Sequence, residues 1–296
     1  MTTARPPSGP DAFLLKVSAV PTAIVSGANS GIGLETARGL ARAGYRTVLL
    51  CRNEERAEIA RADIASSVPD AQLEILLCDL GLQADVRRAA TDIDARFDRL
   101  DVLVNNAGVE LQRREETDEG IETMLAVNHL GPFLLTNLLL PLLRRSAPSR
   151  VVVVASEAHK FRRLRLDDIQ AERRGYGLLG FPRYGETKLM NILFTRELAR
   201  RLEGSGVTAN CLHPGSIRSG LGSPPRIIRP LIRLFLRSPE AGARTSLTVA
   251  TDPELGDVNG VYFMRSKPAD KRLSRQARDD DLARTLWTQS EALVGL

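Results

Sequence analysis

The chain has 296 residues, of which 43% are hydrophobic, 26% charged and 4% aromatic, and its formal net charge is +5 at pH 7. This composition excludes a disordered chain and a nucleic-acid surface built from stacked aromatic rings. The cysteines Cys51, Cys78 and Cys211 are far apart and odd in number, which excludes a disulfide framework or a zinc site and indicates a reduced, cytosolic compartment.

Residues 1–20 form a predicted N-terminal tail. The first eleven residues are polar and rich in proline, and the apolar stretch from Ala12 to Val20 is short and interrupted by Lys16. That stretch matches neither a signal peptide nor a membrane span. We therefore expect the folded domain to cover residues 21–296.

From Pro21 onward, short β-branched apolar runs alternate with longer amphipathic segments. Apolar strands separated by helices predict a parallel sheet covered on both faces, which is a single α/β domain of the doubly wound Rossmann type. Seven strands are predicted, at residues 22–26, 47–51, 73–77, 102–105, 150–155, 207–212 and 261–263. Helices are predicted at residues 33–43, 54–66, 86–97, 122–145, 185–203 and 239–251. The one long connection without periodicity is 157–183, and such connections are usually functional.

The first strand runs into a glycine-rich turn, SGANSGIG, at residues 26–33. Its spacing is G-x-x-x-G-x-G rather than the common G-x-G-x-x-G. Glycines here let the chain turn tightly and approach a diphosphate at a helix N-terminus, although a turn of this kind can also be a plain chain reversal. The candidate cofactor contacts in the turn are Gly27, Asn29, Ser30, Gly31, Ile32 and Gly33.

The ends of the second and third strands bear on the adenosine half of such a cofactor. An NAD enzyme usually has an acid after the second strand, but this chain has Cys51-Arg52-Asn53. The guanidinium of Arg52 can hold a 2′-phosphate that a carboxylate would repel, so the pattern favours NADP(H), unless Arg52 is simply solvated. Asp79, followed by Leu80, either accepts from an adenine amino group or caps the next helix.

The fourth strand ends in Asn105-Asn106-Ala107-Gly108. Small and amide-bearing residues at this position let a cofactor ribose lie close to the backbone at Asn106, Ala107 and Gly108. The same residues are also compatible with an ordinary turn.

Tyr184 and Lys188 stand four residues apart, on one face of a predicted helix. Lowering the pKa of a tyrosine by about three units requires roughly 4 kcal/mol of phenolate stabilisation. One ammonium at contact distance in a partly dry cleft supplies about that much. The alternative is a surface tyrosine beside a solvated lysine, but only five of the 41 basic residues are lysines. The pair is therefore a candidate acid/base with its activating cation.

Seven segments occur in the order found in short-chain dehydrogenases/reductases, and together they span roughly residues 20–265. They are SGANSGIG, CDL, NNAG, VNHLGPF, VVVVASEAH, YGETK and HPGSIRSGL. The chain thus resembles that family. The resemblance implies that Tyr184 is the acid/base, that Lys188 lowers its pKa and binds the nicotinamide ribose, that Ser156 polarises the substrate oxygen, and that Asn128 holds a relay water. It also implies cofactor contacts after the sixth strand at Pro214, Gly215, Ile217 and Ser219.

Two features depart from the common family pattern. Ser26 stands where threonine is usual, which keeps the hydroxyl. Ser156 and Tyr184 are 28 residues apart, about twice the usual separation, so the connection carries an insertion. That insertion resembles the retinol-dehydrogenase-like branch, which also holds the WW-domain oxidoreductases and is similar to light-dependent protochlorophyllide reductases.

The resemblance implies an NADP(H)-dependent oxidoreductase that interconverts a carbonyl and an alcohol on a small lipophilic substrate. Two alternatives stay open, namely an NADP(H)-binding scaffold or sensor without catalysis and a reductase of carbon–carbon double bonds. The chain's three histidines lack metal-ligand spacing, so no metal site is predicted. A homodimer through helix 122–145 and the helix after Tyr184 is expected, as in many relatives.

Residues 216–238 correspond to the segment where relatives carry a substrate lid. Within it, Arg226, Arg229, Arg233 and Arg237 fall on one face of a helix, and bulky aliphatic residues cover much of the rest. This mixture is typical of an interfacial helix, and it predicts transient contact of residues 226–237 with a membrane surface. The alternative is a helix packed on the domain, and Pro230 would kink either one. The predicted location is cytoplasmic, peripheral to membranes where this contact forms.

Overall fold

Side chains of the first strand alternate between the two faces of one sheet. In β1 (Thr22–Ser26), Ala23 and Val25 pack into one apolar cluster and Ile24 into another. All three side chains are fully buried. A strand buries both of its faces only where helices cover the sheet on both sides, so this alternation requires a layered α/β architecture.

The computed structural model describes residues 20–215 and 238–296. The strands that follow β1 are β2 (Arg46–Cys51), β3 (Leu73–Leu77), β4 (Val102–Asn105), β5 (Ser149–Val154), β6 (Val207–His213), β7 (Tyr262–Met264) and β8 (Lys267–Pro268). In the described part of the chain they form one sheet in the order β3-β2-β1-β4-β5-β6-β7-β8. Strands β1 to β7 are parallel, whereas β8 is antiparallel to β7. The predicted tail up to residue 19 and lid residues 216–237 lie outside the described residues.

The predicted doubly wound α/β fold is confirmed, with one correction to the strand count. An eighth strand of two residues, β8, joins β7 through a tight reversal at Arg265 and Ser266. Both reversal residues have positive φ, 53° and 59°, a conformation that Asn-Gly or Asp-Gly usually signals in a sequence. Arg-Ser gives no such signal, and two residues are too few to show an alternating pattern.

Helices cover both faces of the sheet. Those in the described chain are α1 (Gly31–Arg42), α2 (Glu54–Ser67), α3 (Gln83–Arg96), α4 (Thr123–Leu125), α5 (Gly131–Arg145), α6 (Phe181–Arg201), α7 (Pro239–Thr251) and α8 (Asp280–Val294). Helices α1, α2 and α7 pack on the face that includes Ala23 and Val25, and α3, α5, α6 and α8 pack on the opposite face.

The helix predicted over residues 122–145 is not uniformly α-helical. The short α4 leads into a π-helical turn, Ala126–Leu130, before α5 begins. A π turn adds one residue to the helical ladder, which an apolar pattern does not reveal. The combined segment Thr123–Arg145 is long and apolar enough to cross a membrane, but 78% of its most apolar stretch is buried inside the fold. Core packing accounts for its composition.

The C-terminal helix α8 is not among the predicted elements. Asp279 caps its N-terminus, accepting a hydrogen bond from the Leu282 amide at 2.9 Å, and Gly295 ends it with a φ of 65°. The Trp287 ring packs on α5 and α6, with its centroid 4.9 Å from that of Phe133 and 5.9 Å from that of Phe194. The Asp279 and Gly295 signals are present in the sequence, so this helix was predictable from its caps.

Candidate active site

Two turns meet at the carboxyl edge of the sheet, where the chain order reverses between β1 and β4. The Ser26 hydroxyl accepts hydrogen bonds from the backbone amides of Asn106, at 2.9 Å, and Ala107, at 3.1 Å. The Asn106 side-chain amide in turn donates to the Ser26 carbonyl at 2.8 Å. The glycine-rich turn and the turn after β4 are therefore fastened together at the switch point, where open α/β sheets bind their ligands.

The glycine-rich turn has the shape that a diphosphate requires. A Cβ on Gly33 would overlap the carbonyl oxygen of Gly27, so the two segments approach as only glycine allows. Gly31 has a φ of 56°, and a Cβ built there meets no atom within 4 Å in the described chain. Ser30 makes no side-chain cap bond to α1, and the first turn of α1 has no acidic residue. Free helix amides beside open space fit a bound diphosphate.

The residues predicted at the adenosine end lie together after β2 and β3. The Arg52 side chain is 71% exposed, and its Nη1 lies 3.5 Å from Oδ2 of Asp79. Asp79 does not cap α3; its Oδ1 accepts from the Gly81 amide at 2.8 Å and closes the turn before that helix. The Leu80 side chain is buried in the core, so only its backbone is available to a ligand.

Asn128 lies fully buried in the π-helical turn and connects two other segments. Its Oδ1 accepts from the Val109 amide at 2.7 Å, and its Nδ2 donates to the Val109 carbonyl at 2.9 Å and to Oγ1 of Thr187 at 3.0 Å. The Thr187 hydroxyl donates to the Tyr184 carbonyl at 2.8 Å. A Cβ on Gly108 would contact Asn128 Oδ1 at 3.3 Å. Asn128 thus holds the turn after β4 against the helix that carries Tyr184.

Lys188 and Tyr184 lie side by side at the start of α6. The buried Lys188 ammonium donates to the Val154 carbonyl at 2.9 Å and lies 5.4 Å from the centroid of the Tyr184 ring. Burial lowers the pKa of Lys188 to about 8. Burial, together with the charge of Glu110, raises the pKa of Tyr184 above its ordinary value of 10. This direction is opposite to the one expected from the Tyr–Lys spacing, because burial disfavours the charged phenolate and the Glu110 carboxylate repels it.

Ser156 lies two residues after β5 and starts the turn that packs on α6. Its hydroxyl oxygen accepts from the Ala158 amide at 3.1 Å, and its carbonyl accepts from Nδ1 of His159 at 2.7 Å. A Cβ on Gly185 would overlap the Ala158 carbonyl. Glycine at position 185 therefore brings the Ser156 turn against the helix, one residue after Tyr184.

Residues 21–166 match the family model described as short chain dehydrogenase. Retinol dehydrogenase 14 of Mus musculus is 42% identical to this chain over 292 residues, covering 93% of the chain and 86% of that protein. Dehydrogenase/reductase SDR family member 13 of Homo sapiens is 44% identical over 282 residues, covering 93% and 73%. The chain belongs to the short-chain dehydrogenase/reductase family. The match to retinol dehydrogenases confirms the predicted branch, so the protein is an oxidoreductase of the retinol-dehydrogenase-like type.

Solved structures share the fold of this chain. An uncharacterized protein from Mycobacterium paratuberculosis is 33% identical, with a TM-score of 0.74 over 93% of this chain and 96% of that one. Two more distant structures have a TM-score of 0.65. They are a 3-ketoacyl-(acyl-carrier-protein) reductase from Brucella melitensis with NADH, 23% identical over 82% and 95% of the two chains, and an actinorhodin polyketide ketoreductase with NADPH, 24% identical over 82% and 95%. The fold of this dehydrogenase family binds a nicotinamide dinucleotide, in either form.

Some predicted site residues of this dehydrogenase lie outside the described chain. Pro214 and Gly215 follow β6 and are half-buried, with a φ of 100° at Gly215. Ile217 and Ser219 belong to the segment that the structure does not describe, as do residues 226–237. Within residues 20–215 and 238–296, no group of three His, Cys, Asp or Glu side chains is arranged to hold a metal ion.

Four residues near the site were not predicted as site residues from the sequence. Thr187 bridges Asn128 and Tyr184, Glu110 is a half-buried carboxylate whose pKa is raised by burial, and Glu122 and Arg183 form a buried ion pair. Thr187 could have been predicted, because it lies inside the YGETK motif. The partners of Glu122 and Arg183 are distant in sequence, and no local pattern signals such contacts.

Proposed function

We propose that the protein is an NADP(H)-dependent oxidoreductase that interconverts a carbonyl and an alcohol on a small lipophilic substrate, with Tyr184 as the acid/base. The observation that carries this proposal is the convergence of Tyr184, Lys188 and Asn128 at the sheet edge. Lys188 Nζ and Asn128 Oδ1 both lie within contact distance of a Cβ placed on Gly108, and Thr187 links Asn128 to Tyr184.

The predicted cofactor contacts fit a dinucleotide bound across the switch point. When bound, NADPH would supply the hydride. The glycine-rich turn and the free N-terminus of α1 would hold its diphosphate, and Arg52, exposed beside Asp79, would pair with the 2′-phosphate. The full proposed set is Gly27, Asn29, Ser30, Gly31, Ile32, Gly33, Arg52, Asp79, Leu80, Asn106, Ala107, Gly108, Tyr184, Lys188, Pro214, Gly215, Ile217 and Ser219.

In the direction of reduction, Tyr184 would act as the proton donor. Hydride addition to a carbonyl leaves an alkoxide, which needs a proton and hydrogen bonds where the charge develops. The raised pKa of Tyr184 keeps its phenol protonated at neutral pH, as a general acid requires. Lys188, with a pKa of about 8, is mostly charged at pH 7 and favours the phenolate left after proton transfer.

Ser156 and Asn128 have different hydrogen-bonding capacity left for the reaction. The Ser156 oxygen already accepts from Ala158, so its proton is free to polarise a substrate oxygen. Both N–H groups of the Asn128 side chain are used, by Val109 and Thr187, and Oδ1 accepts from the Val109 amide. A relay water would therefore bind the second lone pair of Oδ1 or the backbone carbonyl of Asn128.

Exposed apolar side chains beside Tyr184 support a lipophilic substrate. The Phe181 ring stacks on that of Tyr184, with centroids 6.2 Å apart, and the Phe161 ring meets Phe181 edge-on at 5.2 Å. Phe161, Leu178, Leu179 and Phe181 are all exposed. An exposed apolar patch at the mouth of a polar site is typical of a surface that binds apolar ligands. The retinol dehydrogenases to which the chain is similar are named for a long apolar alcohol of this class.

The test is NADPH consumption with retinoid, steroid and aliphatic carbonyls, combined with identification of the products. Formation of an alcohol at the expense of NADPH would support the proposal. Tight NADPH binding without turnover of any carbonyl would favour a catalytically silent scaffold. A product with a saturated double bond and an intact carbonyl would favour the carbon–carbon double-bond reductase.

Location and assembly remain predictions. A cytoplasmic protein with transient membrane contact through residues 226–237 is proposed, and that segment lies outside the described residues. A homodimer through the helical segment 122–145 and α6 is also proposed, although α6 already packs against α8 of the same chain. Sedimentation of the purified protein with and without anionic liposomes tests both.

A further inference from the structure

The carboxylate of Glu122 is fully buried and receives donors from three directions. Its two oxygens accept from the backbone amides of Met124, at 3.0 Å, and Leu125, at 2.8 Å, which caps the helix that leads to Asn128. Oε1 also accepts from the Tyr176 hydroxyl. Oε2 accepts from Nη2 of Arg183 at 2.6 Å and from Nε at 3.2 Å.

Arg183, immediately before Tyr184, is the largest fully buried side chain in the described structure. Besides Glu122, it donates from Nη1 to Oε2 of Glu186 at 2.8 Å and from Nη2 to the Ile169 carbonyl at 2.7 Å. Tyr184 therefore stands on α6 between two buried, ion-paired residues, Arg183 and Glu186. Its backbone at the start of α6 is fixed on both sides.

Glu186 links Arg183 to further ion pairs, which hold the 157–183 connection in place. Glu186 accepts from Nη1 of Arg174 at 2.9 Å and pairs with Nε of Arg162 at 3.0 Å. Arg174 also pairs with Asp168 at 2.9 Å. Three carboxylates, those of Glu122, Glu186 and Asp168, thus face three guanidiniums, those of Arg183, Arg174 and Arg162.

The Glu122–Arg183 end of this network and its Asp168 end contact different parts of the chain. Glu122 and Arg183 join the start of α4, which leads to Asn128, to the start of α6, which carries Tyr184. The bonds described for Asp168 stay within the 157–183 connection. They come from the side chains of Arg173 and Arg174 and from the backbone amides of Glu172 and Arg173. A buried ion pair costs desolvation and is weak evidence for stability, while fixing register is the best-attested role of such groups.

We propose that Glu122 and Arg183 are a positioning pair that sets Tyr184 relative to Asn128. The two Arg183 bonds to Oε2 of Glu122 fix the distance between the two segments outside the reaction site. The Asn128–Thr187–Tyr184 bonds fix it inside the site. Neither residue touches the reacting atoms. This inference rests on the proposed function only for its kinetic readout.

The test compares Glu122→Gln with Asp168→Asn in the full-length protein. Both variants remove one carboxylate charge from the same cluster, so the comparison separates the position of the lost charge from the loss itself. Two readouts are measured, namely steady-state kinetics of NADPH-dependent carbonyl reduction and hydrogen exchange of the free protein. Arg183→Lys, which keeps the charge but lacks the planar fork, tests whether a conservative change restores part of the effect.

We expect Glu122→Gln to lower kcat by about 10- to 100-fold with KM within about twofold, since a misplacement near 1 Å costs a rate of that order. In Glu122→Gln, the backbone amides of residues 123–130 and of residues 181–188 should both exchange faster than in the parent protein. Asp168→Asn should keep kcat within about threefold and exchange faster only near 165–175. Arg183→Lys should fall between Glu122→Gln and the parent.

Equal kcat losses in Glu122→Gln and Asp168→Asn, or an unchanged kcat in folded Glu122→Gln, would overturn the positioning role. If the parent reduces no carbonyl, the proposed function fails, while the exchange pattern still tests the pair. If Glu122→Gln does not fold, Tyr176→Phe takes its place, because it removes one donor from Glu122 and leaves every charge. The same two-segment pattern, with a smaller kcat loss, is then expected, and its absence overturns the proposal.

Discussion

The Lys188 ammonium donates to the Val154 carbonyl at 2.9 Å, which anchors the charge to the end of β5. Because the cation is held on the sheet, its position does not depend on the Tyr184 hydroxyl. The side chain is buried and fits a compact ammonium. The role of Lys188 can therefore be tested by substituting this residue alone.

Lys188→Arg should be almost inactive, although the positive charge is kept. A planar guanidinium is larger than an ammonium and cannot replace its single bond to Val154 in a buried site. We expect kcat to fall by more than about 100-fold, a loss of the size seen when a positioned catalytic group is removed. Lys267→Arg, at an exposed residue of β8, is the matched control. Near-normal turnover by Lys188→Arg would contradict the assignment.

The lowered pKa of Lys188 predicts a pH-dependent contribution to folding. The folded value is about 8 and the ordinary value is 10.5, so the unfolded chain binds more protons between these limits. The cost of burying the charge is complete below pH 8 and disappears as the pH rises toward 10.5. Relative to Lys188→Met, the parent should gain on the order of 2 kcal/mol in the free energy of unfolding between pH 7 and pH 9.5.

Urea unfolding of both proteins at the two pH values measures this difference. The exposed Lys271→Met substitution should show no comparable change. If the difference between the parent and Lys188→Met is the same at pH 7 and pH 9.5, Lys188 is not a buried cation.

Gly185→Ala should disrupt the site without removing any functional group. A Cβ at this position overlaps the Ala158 carbonyl, so α6 must move away from the turn that begins at Ser156. We expect kcat to drop by about tenfold or more, because a shift near 1 Å between reacting groups has this effect. Gly175→Ala is the control, since a Cβ there meets no described atom within 4 Å. Equal activity of the two variants would show that the close approach is not needed.

Arg52→Asp should shift the cofactor preference from NADPH toward NADH. The new carboxylate repels a 2′-phosphate and accepts from a free 2′-hydroxyl, and the substitution removes the 3.5 Å contact between Arg52 and Asp79. NADPH affinity should fall by at least about tenfold, which corresponds to roughly 1.4 kcal/mol, while NADH affinity rises. Arg61→Asp on the exposed side of α2 controls for net charge. Parent affinities that are equal for NADPH and NADH would refute the preference for NADP(H).

The order of strands and helices was predictable because most elements leave a local pattern in the sequence. The short β-branched run of β1 and the cap residues at the starts of α2 and α7 can be read directly from it. The two-residue strand β8 and the π turn at Asn128 have no period to detect. For these elements, tertiary packing rather than local preference decides the conformation.

The site was predictable wherever its residues fall within one short motif. Tyr184, Thr187 and Lys188 lie in one helical turn, and their proximity follows from helix geometry. Glu122 and Arg183 are joined across 61 positions, and the pairing depends on how the 157–183 connection folds back. Opposite charges are too common in this chain for the sequence to indicate which ones meet.

The most direct measurement is the rate of NADPH oxidation by Tyr184→Phe with all-trans-retinal, alongside the NADPH dissociation constant of the same preparation. The substitution removes only the phenolic hydroxyl, so the cofactor affinity should stay within about threefold of the parent while kcat falls by more than about 1000-fold, because general-acid catalysis and an oxyanion contact are lost together. Tyr45→Phe, directly before β2 and therefore at the opposite edge of the sheet from the site, should leave both values unchanged. Turnover by Tyr184→Phe within about tenfold of an active parent, with NADPH bound normally, would contradict the account that Tyr184 is the acid/base.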